Sequence, residues 1–270
     1  MSAEDAGYLL KEQYRDASNL SARAQLHARF STSRVGWFRW LFDRFELPPD
    51  ARVLELGCGP AWLWWENRDR IAPGWEVTLT DFSPGMLDAA RKNLSRLEPL
   101  PRFQCVDAQA IPLPDASQDA VFAHYMLYHV PDRGRALAEI ARVLKPTGCL
   151  YAATNGEHNL LEIDALVASV APELGSGGVF VHAREFTLEN GAHQLLGHFS
   201  DVRACWFDDA LLVTEVEPLL AYVLSGPVSG RLSQEQLARL RGTVAARIAE
   251  HGSLRIRKST GVFEARLPKR

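Results

Sequence analysis

The sequence predicts an α/β fold, doubly wound around a mostly parallel sheet, on three observations. Val53, Leu54 and Leu56 form a short apolar run that empties into Gly57-Cys58-Gly59, with a helix expected from Ala61. A buried strand that passes through a glycine turn into a helix is the phosphate-site architecture of doubly wound sheets. From residue 51 onward, strand-like and helix-like segments alternate, as parallel strands with crossover helices require. Finally, Glu55 precedes the glycine turn, and Asp81 and Asp107 follow at the carboxyl ends of the next two strands, the edge at which such sheets hold ligands.

Taken in order, residues 5–46 read as helical. Leu9, Leu10, Tyr14, Leu20, Leu26 and Phe30, then Trp37, Trp40, Leu41 and Phe45, recur at three- and four-residue spacings. Polar patches at 16–19 and 31–33 interrupt the pattern, and Leu47-Pro48-Pro49-Asp50 closes it. Strands are expected at 52–56, 76–80, 102–105, 119–123 and 148–154. Helices are expected at 61–70, 84–96 and 133–144, with a weaker one in 110–117. Pro84 after Ser83 is a good helix entry, and Lys145-Pro146-Thr147-Gly148 stops the helix before the fifth strand. Beyond Asn155-Gly156 the alternation lapses. Helices are expected at 160–170, 186–199, 218–224 and 232–250, and a mobile loop at 175–178. Two antiparallel pairs are expected, 202–207 with 211–213, and a terminal hairpin of 254–258 with 262–266.

Composition narrows the function. The 270 residues are 47% hydrophobic and 23% charged, with a formal charge of −3. That balance is ordinary for a globular protein and offers no basic field for nucleic acid. No stretch has the length of an apolar membrane span, and Met1–Asp16 lacks a signal-like core. Cys58, Cys105, Cys149 and Cys205 show no metal-ligand spacing and read as thiols of a reducing compartment. A cytoplasmic protein is expected, monomeric or homodimeric, without nucleic-acid or membrane partners and without a metal.

The acidic residues shape the ligand. A carboxylate at Glu55 disfavours a pyrophosphate beside the turn and suits a cationic or amino-bearing ligand; Asp81 is placed to take both hydroxyls of a ribose. At these residues the sequence resembles the class I S-adenosylmethionine-dependent methyltransferases. Val53-Leu54-Glu55-Leu56-Gly57-Cys58-Gly59-Pro60 resembles that family's first motif, and Thr80-Asp81-Phe82-Ser83-Pro84-Gly85-Met86-Leu87 its ribose strand end. Asp107-Ala108-Gln109, Asp119-Ala120-Val121 and Arg142-Val143-Leu144-Lys145-Pro146-Thr147-Gly148 match later motifs. The resemblance covers about 50–155 and is closest to the small-molecule branch that includes ubiquinone and menaquinone C-methyltransferases. Ala61 departs from it, standing where the family often has glycine.

The resemblance implies a Rossmann-like, seven-stranded, mostly parallel sheet with S-adenosyl-L-methionine as cofactor. It implies an N-terminal helical lid (1–49), a cofactor-binding core (50–155), a cap segment (156–200) and C-terminal strands and helices that complete the sheet (201–270). The backbone of Gly57, Cys58 and Gly59 would cradle the methionine portion, with Glu55 near its ammonium. Asp81 would bind the ribose; Phe82 and Met86 would flank adenine, whose edge would meet Asp107, Ala108 and Gln109. Trp62 and His124 complete the cofactor set.

Acceptor residues are read from position alone. His124 and then Tyr125 and Tyr128 follow the fourth strand; Tyr8, Tyr14, His27 and Phe30 lie on the expected lid; Phe180, His182 and Trp206 lie in or beyond the cap. General-base candidates are His124, Tyr14 and His27, in that order. An aromatic-rich pocket favours an aromatic, planar or cationic small molecule. Methylation at carbon, nitrogen or oxygen is compatible with these residues, and a specialised-metabolite pathway is expected. The rival readings are a nicotinamide-dependent oxidoreductase and a non-catalytic cofactor-binding scaffold. Against the first stand Glu55, the missing third glycine and Asp107.

Overall fold

The computed structural model describes residues 18–174, 181–226 and 228–269, without the side chains of 18, 19, 181 and 182. Two helices come first, α1 (Ser18–Phe30) and α2 (Trp37–Phe42). An alternating stretch follows: β1 (Arg52–Leu56), α3 (Trp62–Glu66), β2 (Glu76–Asp81), α4 (Pro84–Asn93), β3 (Arg102–Cys105), β4 (Gln118–Ala123), α5 (Arg133–Val143) and β5 (Leu144–Asn155). The remainder is α6 (Leu161–Val170), α7 (Gly191–Leu196), β6 (Phe199–Phe207), β7 (Ala210–Val213), α8 (Val216–Leu224), α9 (Gln234–His251), β8 (Leu254–Arg257) and β9 (Thr260–Pro268).

Seven strands form one sheet in the order β3-β2-β1-β4-β5-β9-β6. The first five are mutually parallel, and β9 runs antiparallel to both β5 and β6. The reversal of strand order falls between β1 and β4, so the crevice of this doubly wound sheet opens there. Register makes the crevice level: Leu56 lies beside Thr80 on one side and Ala123 on the other, so all three strands finish together.

Alternation along the strands assigns the two faces. Leu54, Leu56 and Val121 point to one face, against Leu137 and Ile140 of α5 and Phe186. Val53 and Phe122 point to the other, against Trp64, Leu79 and Tyr151. By the same period of two, Glu55 and His124 share the second face. A third apolar cluster lies outside the sheet. Leu26 and Phe30 of α1, Ile163 and Val167 of α6, Leu211 of β7, Tyr222 and Val223 of α8, Leu240 of α9 and Ile256 of β8 pack together there.

Several local expectations are corrected. Ser18 and Asn19 belong to α1 and do not interrupt it. The helix expected over 61–70 is one short turn, because Ala61 takes a left-handed φ of 60° and the chain unwinds after Glu66. Residues 110–117 are turns, with Ala116 at φ 50°. The helix expected over 186–199 shrinks to α7, since Thr187 and Asn190 close a side-chain turn before it. The strand pairings beyond residue 200 differ most. β6 pairs with β9, and β7 with β8, so neither expected hairpin forms. Phe263 and Val262 are fully buried in β9, between β5 and the edge strand β6, whereas Ile256 belongs to the outer cluster. Adjacent apolar runs thus serve two different cores. The loop expected at 175–178 lies outside the described residues.

Candidate functional site

The turn after β1 is built by backbone geometry. Gly57 and Gly59 adopt φ of 67° and 53°, a region open to glycine at little cost. A Cβ on Gly57 would also sit 2.9 Å from the Cβ of Met126, so that turn must pass bare beneath the loop after β4. At Gly59 only Leu20 Cδ1 lies near, at 3.9 Å, so an added methyl would project into open space. The Cys58 amide donates to the Thr80 carbonyl at 2.8 Å, which extends the β1–β2 ladder into the turn.

Asp81, at the end of β2, accepts from the Gly59 amide at 2.9 Å and from the Ser83 amide at 2.8 Å. Burial pushes its carboxyl above the usual range and the Glu55 charge adds to this, while the two amides oppose the shift. Ser83 caps α4, accepting from the Met86 amide at 3.3 Å, which seats buried Met86 behind half-exposed Phe82. Beyond β3, Asp107 accepts from the amide and the side-chain nitrogen of Gln109 at 2.9 and 3.0 Å. The Gln109 side-chain oxygen accepts in turn from the Asp132 amide at 3.0 Å, tying this turn to the start of α5.

Glu55 is buried and fully engaged. Trp64 Nε1 donates to one carboxylate oxygen at 2.5 Å, and His124 Nδ1 lies 3.1 Å from the other. Glu55 and His124 share a sheet face onto which Trp64 of α3 packs; Phe45 stacks beside His124 and the Phe122 ring lies tilted against it. His124 Nε2 is shut from solvent and has no hydrogen-bond partner among the described residues. With Glu55 accepting at Nδ1, that nitrogen carries the proton, and the geometry makes the imidazole a partner that fixes Glu55. The next residue, Tyr125, holds a left-handed φ of 56°, strained for a non-glycine; its hydroxyl meets Thr260 Oγ1 at 2.7 Å.

These groups line one cavity of about 1320 Å³ between the sheet's carboxyl edge and the outer helical layer. Glu55, Gly57, Cys58, Gly59, Trp62, Asp81, Phe82, Met86, Asp107, Ala108, Gln109, His124, Tyr125, Tyr128 and His27 all reach it. Phe30 does not: it is buried in the outer cluster. Trp206 does not either; it stands half-exposed on the edge strand β6. Tyr8, Tyr14, Phe180 and the His182 side chain lie outside the described residues.

The outer layer adds residues that sequence reasoning missed. Asp209 is fully buried and binds Lys258 Nζ at 2.5 Å, together with Ser31 Oγ and the amides of Thr32, Ser33 and Ala210. Burial raises the Asp209 carboxyl, but the Lys258 ammonium and these donors hold it below the usual value. His27 meets Tyr222 edge to face at 5.9 Å, and burial, reinforced by the Lys258 charge, lowers its pKa to about 3. It is therefore a neutral imidazole at physiological pH. Asp164 of α6 also lines the cavity. No local motif marks these residues, because their contacts join segments far apart in the chain.

Residues 54–152 match the protein family described as a methyltransferase domain. A malonyl-[acyl-carrier protein] O-methyltransferase of Serratia marcescens is 33% identical over 115 residues, 43% of this chain and 42% of that protein. A demethylmenaquinone methyltransferase of Deinococcus radiodurans is 33% identical over 149 residues, 54% of this chain and 60% of that protein. The chain thus spans about half the length of the curated relatives it matches. Among solved structures, phosphoethanolamine N-methyltransferase 2 of Haemonchus contortus, in complex with S-adenosyl-L-methionine, superposes with a TM-score of 0.60 at 17% identity. That likeness covers 99% of this chain and 61% of the other. The [4+2]-cyclase SpnF superposes with a TM-score of 0.58 at 16% identity, over 97% and 94%. These likenesses show the fold alone, on which more than one chemistry is carried. The sequence match is narrower and more telling, for it begins at Leu54 and takes in the glycine turn, Asp81, Asp107 and His124. Over residues 54–152, the chain is thus similar in sequence to methyltransferase domains, and its fold is one that S-adenosyl-L-methionine-dependent methyltransferases share.

Proposed function

We propose that the protein transfers a methyl group from S-adenosyl-L-methionine to a small aromatic or heterocyclic acceptor, at carbon, nitrogen or oxygen, in specialised-metabolite biosynthesis. The observation that carries this reading is the bare glycine turn with Asp81 folded over it. The Gly59 position opens onto the cavity, and Asp81 holds its carboxylate at the same edge. Such a cradle fits the methionine and ribose portions of the cofactor. Phe82 is the exposed aromatic beside it, and Asp107 with Ala108 and Gln109 fits an amino edge of adenine.

The donor set also fits a cation. Carboxylates along the cavity outnumber lysines and arginines seven to four. The cofactor supplies an electrophilic methyl on a sulfonium, and in-line alignment with exclusion of water does much of the remaining work. Glu55, held by Trp64 and His124, gives a fixed negative charge at the strand end nearest the turn. His124 serves in this account as a positioning residue for Glu55; His27 is the neutral hydrogen-bonding imidazole of the acceptor side. The helical layer of α1, α6 and α8 covers that side as a lid.

A nicotinamide-dependent oxidoreductase is disfavoured by the buried Glu55 beside the turn, since a second negative charge near a pyrophosphate is repelled. Asp81→Ala tests the assignment. S-adenosylhomocysteine affinity, measured by calorimetry, is expected to fall at least tenfold while the unfolding midpoint changes little. Unchanged affinity removes Asp81 from the site.

A further inference from the structure

The acceptor side of the cavity carries a charge that the cofactor reading leaves unused. Asp164 stands in the first turn of α6, half-buried, and reaches the cavity beside Ile163 and Leu160. Among the described residues its carboxylate has neither a hydrogen bond nor an ion-pair partner. Of the other ionic groups near it, Arg184 is exposed at the cavity and the remaining ones are engaged or neutral. Arg23 donates to Ser225 Oγ at 3.0 Å and to the Ser225 carbonyl at 2.6 Å. Lys258 is bound by Asp209. His27 is uncharged, and Tyr222, buried against it, keeps its proton because burial raises the phenol. Burial likewise raises the Asp164 carboxyl, and the exposed Arg184 opposes this only in part. An unpaired carboxylate that is costly to bury stands where a ligand can pair with it.

We propose that Asp164, with the His27–Tyr222 pair next to it, forms an acceptor subsite that takes an amino group, so that the preferred acceptor is an amine-bearing aromatic molecule. The inference rests on the methyltransferase reading, since it concerns that enzyme's second substrate. Asp164 supplies the negative charge. Tyr222 belongs to the subsite, its ring meeting His27 at an interplanar angle of 83° and lining the same cavity as Asp164. His27 Nδ1, shut from solvent and unpartnered among the described residues, adds a neutral hydrogen-bonding edge. Aromatic walls and one carboxylate favour a cation over an anion. The subsite fixes the acceptor's orientation; it makes no demand on which atom receives the methyl.

The test uses the full protein saturated with S-adenosylhomocysteine and two probes that share a phenol ring and differ in end charge. These are tyramine, with an ammonium, and 3-(4-hydroxyphenyl)propanoate, with a carboxylate. Calorimetry is expected to show tyramine bound at least tenfold more tightly. The preference is expected to vanish in Asp164→Asn and to return in Asp164→Glu, with S-adenosylhomocysteine affinity the same in all three proteins. Equal binding of the probes, binding of neither, or a preference that survives Asp164→Asn overturns the subsite. Failure of S-adenosylhomocysteine to bind the unsubstituted protein overturns instead the reading on which it rests.

Discussion

Glycine at 57 and histidine at 27 illustrate two ways in which a single residue is fixed by its surroundings. Gly57 is required twice over, by a positive φ and by the 2.9 Å approach of Met126. The sequence showed the first requirement, as a turn, and was silent on the second, which comes from a loop 69 residues away. His27 was legible as a lid residue and a general-base candidate, but not in its charge state. Its neutrality depends on burial and on Lys258, and neither is encoded near it. The consequence for stability has a definite sign. The folded-state pKa lies below the unfolded value of 6.5, so the unfolded chain binds more protons as pH falls. Stability is therefore intact above pH 6.5 and is lost progressively down to about 3. At pH 5 the penalty from this one group is about 2 kcal/mol, since each pH unit below the unfolded value costs about 1.4 kcal/mol. His27→Gln is expected to recover most of that difference in urea unfolding at pH 5 relative to pH 7. An identical pH dependence in both proteins refutes the assignment.

Elements with a strong local signal were read well: β1, β3, α5 and α6 lie within a residue or two of their expected bounds. Capping chemistry explains part of this success. Asp132 accepts from the Arg135 amide at 2.9 Å to start α5, and Ser83 starts α4. The C-terminal third differs from expectation because β6 lies next to β7 in sequence and β8 next to β9, whereas pairing there is decided by distant partners. β9 inserts between β5 and β6, so its neighbours are more than 50 residues away on either side. Asp209, between β6 and β7, secures this arrangement by binding Lys258 after β8 and the Ser31–Ser33 turn after α1. Removing one member of a buried, hydrogen-bonded ion pair costs about 3–5 kcal/mol. Asp209→Ala is expected to lower unfolding free energy by that order, with Lys258→Met at the same time recovering a substantial part. A loss below about 1 kcal/mol, the range of exposed pairs, contradicts the buried lock.

At the scale of the whole molecule, the seven-stranded sheet supplies one wall of the cavity and a separate helical layer the other. The first wall was largely legible, since Glu55, Gly57, Gly59, Asp81, Asp107 and His124 all reach the cavity from motifs within 55–124. The sequence did not show that both oxygens of Glu55 are taken by Trp64 and His124. Of the second wall only His27 was legible. His27, Asp164, Tyr222 and Lys258 come from four segments that meet only in the folded chain, around an apolar cluster of their own. In the proposed function the first wall meets the cofactor and the second the acceptor, so activity is expected to require both. In the domain that matches, this division agrees with relatives that share one wall while their printed names give unlike acceptors.

The most direct measurement is thermal unfolding of the purified full chain with S-adenosylhomocysteine, and separately with a nicotinamide dinucleotide. A ligand that binds only the folded state at a hundredfold excess over its Kd adds about 2.7 kcal/mol of stability. The account predicts a saturable rise in Tm with S-adenosylhomocysteine and none with the dinucleotide. A rise with the dinucleotide alone, or with neither on a demonstrably folded protein, contradicts it.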